Sequence, residues 1–134
     1  MNNNFLSLFS LLLLSGSLVC CEKATNIGGL FNIDIQNVHE IVVLENRIDG
    51  YVDYYHLTGQ EITLFGDELL EISIKTKRCS KYSSDFKISL ITDKNTYYVT
   101  NDSIGNGERG YCFDVIGDTK PYDIYIKYKN SFTK

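Results

Sequence analysis

Cys79 and Cys112 are the only cysteines outside an apolar N-terminal leader, and that isolation constrains the fold more than any other feature. A bond between them closes a loop of about 34 residues, which removes on the order of 4 kcal/mol of unfolded-state freedom before native strain is counted. Such a bond persists only in an oxidising compartment. The chain therefore reads as a stapled extracytoplasmic domain. Its organising stretch, residues 68–112, holds a strand-like run, a cysteine, a strand pair, a glycine-rich loop and a second cysteine.

Residues 1–21 read as a signal peptide or lipoprotein leader. The apolar run over 5–19 is fifteen residues, short of the roughly 20 that cross a bilayer as a helix. No Lys or Arg precedes it. Cleavage after Ser17, with Ser15 and Ser17 as the small flanking residues, gives a soluble secreted protein. The sequence Leu18-Val19-Cys20 before Cys21 makes Cys21 a candidate lipidation site instead, with membrane attachment through acyl chains. Both readings put the protein outside the cytoplasm, secreted or in the cell envelope (periplasmic or membrane-anchored in a bacterium). Residues 22–29, ending in Gly28-Gly29, form a tether.

Residues 30–134 suffice for one domain with a real core. Seventeen acidic side chains against thirteen basic ones give a net charge of -4 with no polybasic run. Nucleic acid is therefore not an expected partner; a cationic protein is.

The patterning is that of strands. Residues 30–35 alternate, 38–44 are more fully apolar, Asp49-Gly50 signals a hairpin turn, and Tyr51 to Leu57 is β-rich. Over 60–72, Ile62, Phe65, Leu69 and Ile72 recur at helical spacing. Gly66-Asp67 interrupts them, and the clean alternation through Lys77 favours a hairpin. Strands are expected over 85–92, 96–100 and 111–116, a surface loop over 101–110, and a last strand over 122–129, where Tyr122, Ile124, Ile126 and Tyr128 oppose Asp123, Tyr125, Lys127 and Lys129. The expected fold class is all-β: a small antiparallel β-sandwich, or open barrel, of about eight or nine short strands with one internal disulfide.

No catalytic, cofactor or metal constellation stands out. His39 and His56 lie on strand-like segments, as structural or surface histidines do, and no CxxC or HxxxH spacing is present. The loop NDSIGNGERG fails the calcium-loop pattern at Ile104, and a strand rather than a helix follows its glycines. Asp53, Asp114 and Asp123 could supply paired carboxylates, as any acidic β protein could. No enzyme activity is expected.

Tyrosine remains: ten in the chain, with no tryptophan. Exposed tyrosines beside charged residues suit protein recognition. Tyr51, Asp53 and Tyr55 share one side of their strand and carry its charge, so they are the expected partner-binding face, with Val52, Tyr54 and His56 inward. The leading functional reading is a non-enzymatic extracytoplasmic protein-binding module, with an inhibitor or immunity-type protein that neutralises a toxin or hydrolase as one form. A structural or adhesive surface component is the alternative; a carbohydrate-binding module or small hydrolase fits less well.

Overall fold

The computed structural model describes residues 25–50, 52–79 and 85–131, and for Asp53 the backbone only. Eight strands form one sheet: β1 (Thr25–Asn26), β2 (Val38–Asn46), β3 (Val52–Leu57), β4 (Ser73–Lys77), β5 (Phe86–Thr92), β6 (Thr96–Val99), β7 (Ser103–Gly105) and β8 (Gly110–Val115). Their order is β1-β4-β8-β7-β6-β5-β2-β3, antiparallel at every step. Two helices, α1 (Gln60–Leu70) and α2 (Pro121–Tyr128), cover one face of it.

The core lies between sheet and helices. Ile41 and Val43 of β2, Tyr55 and Leu57 of β3, Ile74 of β4, Ile88 and Leu90 of β5 and Phe113 of β8 are almost fully buried. Opposite them α1 contributes Ile62, Phe65 and Leu69, and α2 contributes Ile124 and Tyr125. Each large side chain buried in this way contributes roughly 1.5–3 kcal/mol relative to exposure.

The all-β expectation is corrected by these helices. Over 60–70 the helical spacing of Ile62, Phe65 and Leu69 prevails, and the period-two pattern takes over only from Ile72 into β4. Gly66 does not break α1. A Cβ there would stand 2.1 Å from Cδ1 of Ile35, so the missing side chain lets the helix approach the segment before β2. The final segment alternates with period two, yet Pro121, Ile124, Tyr125 and Tyr128 also fall at helical spacing, and the helix buries the first three of these. Pro121 opens the first turn, where its lost N–H costs nothing. The Asp123 carboxylate accepts the Lys120 N–H at 2.8 Å.

Two smaller expectations also change. Residues 31–35 alternate in burial as a strand would, but the chain runs through 3₁₀ turns at Gly28–Leu30 and Ile35–Asn37. The Asp34 carboxylate accepts the Gln36 N–H, a local bond that competes with a ladder. The expected 101–110 loop contains β7, held between β6 and β8.

The Cys79–Cys112 disulfide is present, with Cα atoms 5.1 Å apart. Cys112 of β8 pairs in register with Lys77, the last residue of β4, and Cys79 follows two residues later. The bond therefore closes the end of the β4–β8 ladder.

Candidate functional site

Strand register fixes what each face of the sheet displays. Tyr55 is opposite Val43 and Leu57 opposite Ile41, all four buried under the helices. Tyr54 must then project to the other face opposite Leu44, and His56 opposite Val42. The row through His56 and Val42 continues across the sheet to Ser89 and Tyr98. At the usual spacing of adjacent strands, His56 and Tyr98 stand roughly 14 Å apart.

No described element covers this outer face. Val52 is 53% exposed, Tyr54 51% and Tyr98 40%. Val42 and Ser89, between the aromatic residues, are nearly covered by their neighbours and form the floor. The Tyr54 and His56 rings meet edge to face with centroids 4.8 Å apart, and Nδ1 of His56 lies 2.6 Å from the Glu40 carboxylate. The Lys87 ammonium sits 5.1 Å above the Tyr98 ring. At the disulfide end, Lys77 donates to Asp114 at 2.7 Å. The face is aromatic and apolar with charges of both signs at its margins, a composition shared with protein-recognition surfaces.

This corrects the expected partner face. Tyr55 is 2% exposed and stacks near Tyr125 in the core. The outward set in β3 is Val52, Tyr54 and His56. Leu57 shares the parity of Tyr55 and was the signal in the sequence; the Asp53 charge pointed the wrong way. The Asp53 backbone pairs with Glu45 across the β2–β3 ladder. Tyr51 and Cys21 lie outside the described residues. His39 lies 2.9 Å from Asp93 and His56 2.6 Å from Glu40, so each histidine faces a carboxylate of its own. Asp114 faces Lys77 while Asp123 caps α2, so these two carboxylates serve different layers.

Under the helices, Glu45 accepts the hydroxyls of Tyr122 and Tyr125, each at 2.7 Å, and the Lys129 ammonium at 3.2 Å. Burial alone would raise the Glu45 carboxyl; the two hydroxyls and the ammonium together outweigh it and hold its pKa below the ordinary value. Burial and the bond to Glu45 push the Tyr125 hydroxyl far up, so it remains a donor. Separately, a polar cleft of about 330 Å³ lies between the 3₁₀ segment and the β5–β6 turn, lined by Asn32, Asp34, Asn37, Asp93 and Asn95 with Tyr97.

Comparison with protein-family models, curated proteins and solved structures found no match.

Proposed function

We propose that the chain is a non-enzymatic extracytoplasmic protein-binding module that meets a protein partner through the outer face of its sheet. An inhibitor or immunity-type role is one form of this. The observation that carries it is the uncovered face bearing Val52, Tyr54 and Tyr98 at 40–53% exposure on a rigid antiparallel scaffold. Tyrosine provides a large contact area with little conformational freedom to lose, and its hydroxyl can pair at a wet rim. The disulfide supports an oxidising compartment. The net charge of -4 favours encounter with a cationic partner at long range, whereas the contact itself would be aromatic.

The test is comparative capture from envelope and culture extracts, followed by affinity measurement on the protein recovered. Replacing Tyr54 and Tyr98 together by Ala should weaken that affinity about a hundredfold or more. Leu64→Ala, on the exposed side of α1, should leave it unchanged. A partner bound equally by the double variant, or lost with Leu64→Ala, would remove the outer face from consideration.

A further inference from the structure

The two edges of the sheet are protected differently. At one edge β1 is only two residues long and pairs with Ser73 and Ile74 alone. The rest of β4 there carries Lys75 and Lys77, charges of the kind that natural edge strands use against further pairing. At the other edge β3 runs six residues with one charged residue, Asp53, and no Lys, Arg or Pro, and β2 is its only strand partner among the described residues. Its side chains Val52 and Tyr54 are half exposed beside that open edge.

We propose that this edge receives a second copy of the chain, β3 pairing antiparallel with β3 about a two-fold axis at Tyr54. Every ladder already in the sheet is antiparallel, so the symmetric pair continues the existing geometry. An axis perpendicular to the sheet keeps outer face against outer face, so it can pass only through a residue pair of equal number. Centred on Asp53, it would set two like-charged residues directly opposite, which is destabilising. Centred on Tyr55, it would put Val52 against Thr58, beyond the end of the strand. Centred on Tyr54, it pairs Val52 with His56 and Tyr54 with its own copy, and cross-strand aromatic pairs are favourable. One strand pair buries less than the about 1,200 Å² at the low end of stable interfaces, so the dimer is weak. This inference does not depend on the proposed function.

Sedimentation equilibrium of the exported, disulfide-intact protein tests it. Between about 1 μM and 1 mM a monomer–dimer equilibrium is expected, with a Kd on the order of 10–100 μM. Tyr54→Lys and, separately, Val52→Lys should each weaken it at least about tenfold while leaving circular dichroism unchanged. Tyr98→Ala, three strands away, should not affect it, which separates this result from partner binding. Tyr54→Cys should give a covalent dimer on mild oxidation, since directly opposed Cβ atoms lie about 5 Å apart; Ile48→Cys, at the exposed hairpin tip, should not. A protein monomeric over the whole range would overturn the proposal. So would a dimer indifferent to both lysine variants, or one that cross-links as readily at Ile48 as at Tyr54.

Discussion

The hydroxyl of Tyr125 on α2 donates to the Glu45 carboxylate on β2 at 2.7 Å, a bond spanning 80 residues of sequence. With Tyr122 and Lys129 on the same carboxylate, it ties the last helix to the second strand. Hydrogen bonds to a charged, poorly hydrated group contribute about 1.5–3 kcal/mol. Glu45→Gln, which keeps the shape and removes the charge, should therefore destabilise the fold by about 2 kcal/mol at neutral pH, measured by urea denaturation.

The same carboxylate sets an acid limit. Its pKa in the folded chain is below the ordinary 4.5, so its stabilising contribution is full above that value and is lost as pH falls through the lower, folded value. Stability of the natural protein should decline more steeply below about pH 4.5 than that of Glu45→Gln. Parallel profiles of the two proteins in acid would show that Glu45 does not couple folding to protons.

Removing the disulfide should cost about 2–5 kcal/mol, because the freed segment regains conformational freedom chiefly in the unfolded chain. Cys79→Ser with Cys112→Ser, compared with the intact protein by denaturant titration, measures this directly. The β4–β8 ladder should persist in the folded state, since four register pairs hold it besides the bond.

Neighbouring tyrosines on β3 should behave oppositely. Tyr55→Ala empties a buried position and should cost about 3–5 kcal/mol, as large aromatic truncations in cores do. Tyr54→Ala removes a half-exposed ring and should change stability by less than about 1 kcal/mol. Equal losses at both positions would mean that the outer face is covered.

The N-terminal reading has its own test. If Cys21 carries lipid, Cys21→Ser should move the exported protein from the membrane fraction to the soluble one, with loss of the acyl mass at its N-terminus. Membrane retention of an unacylated Cys21→Ser protein would instead indicate an uncleaved apolar anchor.

The sequence by itself determined what depends on local pattern. Apolar or alternating runs located β2, β3, β4, β5, β6 and β8, and the alternation of β5 sets Phe86, Ile88 and Leu90 on one side, which the structure buries. Asp49-Gly50 marked the β2–β3 turn, where Gly50 adopts φ +86°. Cys79 and Cys112, the two cysteines beyond residue 21, specified the staple. Only tertiary structure decided the segments whose residues satisfy two periods at once. In 121–128, alternation and helical spacing coexist, and burial of Pro121, Ile124 and Tyr125 against an otherwise open sheet face selects the helix. The same holds for the choice between Tyr54 and Tyr55. Alternation establishes that they point to opposite sides, but which side is the core depends on Ile41 and Val43 across the ladder and on the helices above them. The Glu45 cluster was beyond local reading for the same reason: its members come from β2 and the C-terminal helix, and packing alone brings them within hydrogen-bond distance.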